Sequence, residues 1–316
     1  MSATDPRAPY SDRLCDAIDR VGSPACVGVD PVMSRIPDAV EGTGALAKLR
    51  NFCLGVVETV AGVVPAIKPQ SACYERYGAA GVAVLEEVCA RARELGLLIV
   101  LDVKRGDIGS TAEHYAAAAA GLCADAVTVN GYMGRSAIEP FLKPQRGGPM
   151  GVYVLVRTSN PDSDELQSER LASGETVAER MAGIVGDLGE SRRGERGLSE
   201  VGAVVGATKS AGEVSALRAR MPEAPILVPG VGAQGGTIEQ VRPLVRAGSQ
   251  GLGDAGVLIN ASRSVIFPSG DGQNGDGQIG DGQIGEGAEG ASDWRSAIRA
   301  EAEAFAALCA GVRGDG

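Results

Sequence analysis

Eight short apolar runs recur along this chain, and most of the segments between them carry apolar residues at helical spacing. The runs are 25–31, 65–70, the stretch that opens at Leu97, 126–130, 151–156, 202–207, 225–229 and 256–260. A run that is apolar throughout, rather than at every second position, describes a strand buried on both faces, as in a parallel sheet. Helices are predicted over 11–21, 46–64, 74–95, 112–122, 175–188, 211–220, 238–247 and 293–310. Eight strands alternating with helices over about 250 residues, with no break between halves, fit a (β/α)8 TIM barrel, a single domain spanning residues 1–316. The main competitor is an open doubly wound sheet. The count of eight favours closure, and so do polar residues recurring at many strand ends instead of at one switch point.

The third run carries the densest chemistry. LLIVLDVKRGDIGST (Leu97 to Thr111) is aliphatic as far as Leu101 and then places Asp102, Lys104 and Asp107 where the run ends. Side chains two apart on a strand share a face, so Asp102 and Lys104 are expected to point together, with Asp107 in the loop beyond. A solvated salt-bridge cluster is the plain reading of so short a motif. Charges that follow an unbroken aliphatic run are poorly solvated, however, and desolvated interacting charges collect at functional sites. Asp30 ends the first run and Lys68 lies near the end of the second. In a barrel all five charges fall at the carboxyl-terminal mouth, where alternating acid and amine stabilise one another's charged forms.

A second constellation suggests a phosphate site. PGVGAQGG (Pro229 to Gly236) leaves the seventh run, and NASRS (Asn260 to Ser264) leaves the eighth with Arg263. Glycines let backbone N–H groups approach an anion, a helix start adds its dipole, and arginine is a bidentate donor. Turn glycines and a surface arginine would explain either loop alone, but loops after strands seven and eight are where phosphate commonly binds in this architecture. A third group, Thr158, Ser159 and Asn160, ends the fifth run. It reads either as a heterocycle or sugar contact or as a turn cap.

Composition narrows the function classes. A formal net charge of −10 argues against a nucleic-acid partner held by a general basic surface. The seven cysteines are odd in number, scattered and free of any CxxC pair, and His114 is the sole histidine, so a Cys/His zinc site is not expected. Buried free thiols, no signal-peptide core in MSATDPRAPYSDRL and no run near the ~18 apolar residues of a membrane span predict a cytoplasmic protein without membrane association. His114, in an alanine-rich segment, reads as structural or surface. Residues 269–292 differ from everything else: SGDGQNGDGQIGDGQIGEGAEGAS repeats G-D-G-Q-x and holds five acidic residues and no basic one. Such a segment buries too little to offset its ordering entropy and is expected to be a disordered insert. A calcium-binding repeat fits less well, because that class has a nine-residue period with bulky apolar positions.

The string Asp102-Val-Lys104-Arg-Gly-Asp107-Ile108-Gly-Ser-Thr111 resembles the D-x-K-x-x-D-I-x-x-T signature of orotidine 5′-phosphate decarboxylases. The likeness extends to Asp30, Lys68, Ser159, PGVGAQGG and Ser262-Arg263, and RTSNP (Arg157 to Pro161) is similar to the bacterial type 2 subgroup. The resemblance implies conversion of orotidine 5′-phosphate to uridine 5′-phosphate, the last step of pyrimidine synthesis, with no cofactor and no metal. It implies a charged tetrad of Lys68, Asp102, Lys104 and Asp107, in which Lys104 protonates C6 and Asp102 crowds the substrate carboxylate. Asp30 would contact ribose, Ser159 the pyrimidine, and Gln234 and Arg263 the phosphate. A homodimer is implied, with Asp107 and Thr111 completing the partner's site. The chain departs from the family at Gly131, where proline is more usual and a softer loop is expected, and in the 269–292 insert. Rival readings are a metal-dependent sugar-phosphate aldolase or decarboxylase with a similar D-x-K-x-x-D, whose carboxylate near the second strand's end is replaced here by Lys68, and a non-catalytic phosphosugar-binding protein, which need not keep the tetrad.

Overall fold

The computed structural model describes residues 7–145, 148–231, 235–268 and 294–314. The apolar runs form strands β1 (Ala25–Val29), β2 (Ala66–Pro69), β3 (Leu98–Arg105), β4 (Ala126–Val129), β5 (Gly151–Arg157), β6 (Val201–Val205), β7 (Ile226–Pro229) and β8 (Val257–Ala261). Each strand pairs in parallel with the next, and β8 pairs with β1 in the register Cys26↔Asn260, so the barrel is closed and an open doubly wound sheet is excluded. Strands β1, β2, β4, β6 and β8 are buried along their whole length, as expected of a parallel sheet covered on its outer face.

The predicted helices are present, with three changes of extent. Residues 74–95 form two pieces, Ala72–Glu75 and Gly78–Glu94, because Gly78 takes φ 66° and interrupts the ladder. Residues 238–247 form the single turn Ile238–Val241, after which Pro243 tightens the chain into a 3-10 turn. The segment 46–64 stops at Val60. Gly131 does not soften its loop. It is buried, a Cβ there would lie 2.7 Å from Met181 Sδ and 2.9 Å from Val154 Cγ1, and the turn is capped by Asn130 Oδ1, which accepts from Tyr132 N at 3.1 Å. The insert at 269–292 lies outside the described residues.

Alternate side chains of the strands point inward and form a core of their own: Cys26, Ala66, Leu98, Val100, Ala126, Tyr153, Val204, Leu227 and Leu258. The helix Tyr10–Val21 contributes Tyr10, Leu14, Ala17 and Ile18 to this same cluster and so closes the amino-terminal end. Tyr10 and Tyr153 meet hydroxyl to hydroxyl at 2.9 Å. Glu200, just before β6, accepts from Tyr10 N at 3.0 Å and from Ser11 N at 2.9 Å. A buried Arg13–Asp125 ion pair fastens the helix to the foot of β4, with Asp125 also accepting from Ile99 N at 2.8 Å. All seven cysteines are free, with Cys73 and Cys123 half-buried and the others buried, while His114 is exposed.

Candidate active site

A cavity of about 520 Å³ opens at the carboxyl ends of the strands. Asp30, Lys68, Asp102, Lys104, Ser159 and Arg263, six residues taken from distant parts of the sequence, all line it.

Asp102 is the hub. Lys68 Nζ donates to its Oδ2 at 2.7 Å, and Lys104 Nζ donates to its Oδ1 at 2.6 Å. Lys68 and Asp102 are each only 6% exposed, whereas Lys104 reaches solvent. Burial works against an ammonium at Lys68, but the carboxylates of Asp30 and Asp102 outweigh it and hold the group protonated well above the ordinary lysine range. Burial also works against a charged Asp102, yet attraction and hydrogen bonds from Lys68 and Lys104 draw its pKa down to about 2. Lys68 and Asp102 are thus both ionised near neutral pH, each the reason for the other's charge.

The backbone beneath this group is irregular. Pairing of β3 with β4 slips between Leu101 and Arg105, and Lys104 sits at φ 45°, a conformation that costs a side-chain-bearing residue free energy. Regular alternation therefore ends at Asp102, and Lys104 meets that carboxylate through a bulge and its long stem instead of through a shared strand face. Thr128 of β4 holds the bulge. Its Oγ1 accepts from Val103 N at 3.0 Å and Lys104 N at 2.9 Å and donates to Asp102 Oδ1 at 2.9 Å, which uses its one proton and both lone pairs. Thr128 is not among the residues that the sequence pattern singles out. Its signal was a hydroxyl inside the otherwise aliphatic AVTV strand.

The far wall is built by the loops after β5, β7 and β8. Arg157, 2% exposed at the end of β5, pairs with Asp164 and Glu213 and donates to Ser163 Oγ at 2.9 Å, tying the β5 loop to the helix Ala211–Arg220. Gln167 braces the loop internally, accepting from Thr158 N and donating to Thr158 Oγ1, both at 2.8 Å. Ser159 is thereby held at the mouth, and Thr158 and Asn160 line the cavity beside it. Arg263 begins the short helix Arg263–Ile266 and borders the cavity together with Pro229, Gly230 and Val231.

Residues 23–273, which include all eight strands, match the profile of the family described as orotidine 5′-phosphate decarboxylase / HUMPS. The chain belongs to this family. The orotidine 5′-phosphate decarboxylase of Rhodopirellula baltica is 38% identical over 273 residues, covering 82% of this chain and 88% of that protein. That of Deinococcus radiodurans is 43% identical over 248 residues, covering 78% and 84%. Among solved structures, OMP decarboxylase from Leishmania donovani superposes with a TM-score of 0.71 at 28% identity, covering 98% of this chain and all of the other.

Three residues of the decarboxylase-family signature, Asp107, Ile108 and Thr111, are not among those lining the cavity of the single chain. Asp107 turns its Oδ1 to its neighbour's amide, Ile108 N, at 2.8 Å, and Thr111 is exposed on the first turn of the helix Gly109–Gly121. Gln234 lies outside the described residues. No helix among the described residues is long and apolar enough to cross a membrane.

Proposed function

We propose that the chain converts orotidine 5′-phosphate to uridine 5′-phosphate and carbon dioxide without a cofactor, and that Lys68, Asp102, Lys104 and Asp107 act as the charged tetrad. The observation that carries this reading is the buried Asp102 carboxylate gripped by two lysine ammoniums at the edge of a cavity whose opposite wall holds Arg263. A substrate carboxylate placed beside Asp102 meets a fixed negative charge. As the bond from C6 to the carboxyl carbon breaks, its electron pair stays on C6, and the Lys104 ammonium beside it becomes the better neighbour and gives C6 its proton. The site then stabilises the transition state more than the bound substrate. Phosphate binding at Arg263 and Gln234, with Asp30 on ribose and Ser159 on the pyrimidine, supplies binding energy remote from the reacting bond.

The proposal includes a homodimer in which Asp107 and Thr111 complete the partner's site. Neither residue lines its own cavity, and apolar side chains nearby are exposed: Ile108 at 58%, Tyr132 at 78% and Met133 at 43%. The two segments adjoin, since a Cβ on Gly106 would lie 3.1 Å from Asn130 O and 3.5 Å from Met133 Cε. Exposed apolar groups gathered in this way mark interaction surfaces.

A metal-dependent sugar-phosphate reaction is the second reading, and Lys68 weighs against it. Its ammonium already occupies Asp102 Oδ2 at 2.7 Å, where a divalent cation would need the carboxylate. The test follows loss of orotidine 5′-phosphate absorbance with the purified protein and with Lys104→Ala. Turnover that persists in chelator and disappears in the variant is expected. No turnover by the unmodified chain, or an unaffected variant, overturns the decarboxylase reading, and loss of turnover on chelation favours the second.

A further inference from the structure

Gln70 follows β2, one position beyond Pro69, and its backbone pairs in parallel with that of Asp102. Residues two apart on a strand share a face, so Gln70 stands on the same side of the chain as Lys68, which holds Asp102 Oδ2. The Gln70 carboxamide meets two acceptors of Asp102. With its nitrogen turned to them it donates to Oδ2 at 3.2 Å and to the backbone oxygen at 2.6 Å. Ser71 N donates to that same backbone oxygen at 3.1 Å. Gln70 is half-buried and is not among the residues lining the cavity, so it backs Asp102 without standing against a substrate.

A carboxylate offers about four acceptor positions. Lys104 and Thr128 take those of Oδ1, and Lys68 and Gln70 take those of Oδ2. The four donors differ in what they supply. The two ammoniums bring charge, whereas the hydroxyl and the amide bring direction without charge. A third cation in place of Gln70 would offset the negative charge that a substrate carboxylate meets. An apolar side chain there would leave Oδ2 less firmly held, and a carboxylate that turns about its Cβ–Cγ bond relaxes away from a like charge brought beside it.

We propose that Gln70 is a positioning residue for the decarboxylation, a neutral lock on the rotation of Asp102 that keeps the carboxylate aimed and fully charged as the substrate carboxylate arrives. This inference rests on the decarboxylase reading and adds to it a residue outside the charged tetrad. The substrate meets Asp102 and not Gln70, so loss of Gln70 is felt in the chemical step and not in nucleotide binding.

The test is steady-state turnover of orotidine 5′-phosphate and calorimetric titration with uridine 5′-phosphate, on the full chain and on Gln70→Met, which keeps the length of the side chain and removes its donors. The kcat is expected to fall about 10-fold, with KM and the affinity for uridine 5′-phosphate within about two-fold of the parent. Thr128→Val, which frees the other oxygen, should cost less kcat in Gln70→Met than in the parent, because the carboxylate it releases already turns. An unchanged kcat, a parallel loss of uridine 5′-phosphate affinity, or a double variant whose loss is the product of the single losses overturns this inference alone. An unmodified chain that does not turn over substrate overturns the decarboxylase reading with it. Gln70→Asn draws the amide back by one methylene, and the same comparisons on that variant decide the question if Gln70→Met does not fold.

Discussion

Thr128 donates to Asp102 at 2.9 Å with the same hydroxyl that accepts the amide protons of Val103 and Lys104. One side chain thus fixes both the aim of the central carboxylate and the left-handed turn that carries the adjacent lysine.

Thr128→Val keeps the shape and removes all three bonds. Two amides and a carboxylate lose a buried partner, so a stability loss of about 2 kcal/mol is expected from unsatisfied polar groups. Turnover of orotidine 5′-phosphate should fall about 10- to 100-fold in kcat with KM nearly unchanged, because positioning of the reacting group is lost while substrate contacts stay. An unchanged kcat would show that the bulge holds itself.

The charge group predicts a wide pH plateau. Asp102 has its pKa lowered from 3.8 to about 2 by its folded surroundings, so the stability it contributes is present above about pH 4 and drains away as pH falls toward 2. Lys68 is shifted upward from 10.5, so its contribution is present below about pH 10 and is lost as pH rises further. Denaturant titrations at several pH values should show acid sensitivity in this range that shrinks in Asp102→Asn. A variant as acid-sensitive as the parent would place the effect in other carboxylates.

Subunit mixing tests the shared site. Lys104→Ala and Asp107→Ala are each expected to be inactive as purified homodimers. Unfolding and refolding them together lets two-fold pairs form in which one of the two sites has both residues intact, restoring about a quarter of the original activity. If activity stays at zero, Asp107 acts within its own chain. Tyr132→Asp should shift the protein to monomer in sedimentation and lower activity in step.

Gly131 is a packing position. Gly131→Ala would press a methyl against the buried Val154 of β5 and the flexible end of Met181. A loss of about 1–3 kcal/mol in thermal unfolding is expected, as for overpacking elsewhere. A neutral outcome would mean that Met181 gives way alone.

The barrel was legible because strands covered on both faces must be apolar throughout, so runs such as 97–101 and 225–229 announce themselves without alternation. Helix ends were less so. Gly78 and Pro243 are ordinary letters in a helical pattern until the chain takes a positive φ at one and loses a donor at the other. Asp102, Lys68 and Lys104 stood out as charges at the ends of apolar runs. Thr128 did not, because threonine in a strand is also what β propensity favours. Gly131 looked like freedom and is compression, a difference set by Met181 and Val154, fifty and twenty-three positions downstream.

Helix Tyr10–Val21 stoppers the amino-terminal end of the barrel, with Arg13 and Glu200 as its fastenings. The vessel is therefore a cup and not a tube. Reactant, nucleotide and gas must share one doorway, and whatever crosses that rim sets the traffic in both directions. The base is not cut off from the cup's floor, because the helix shares its packing with Val204 and Leu227, which line the cavity above.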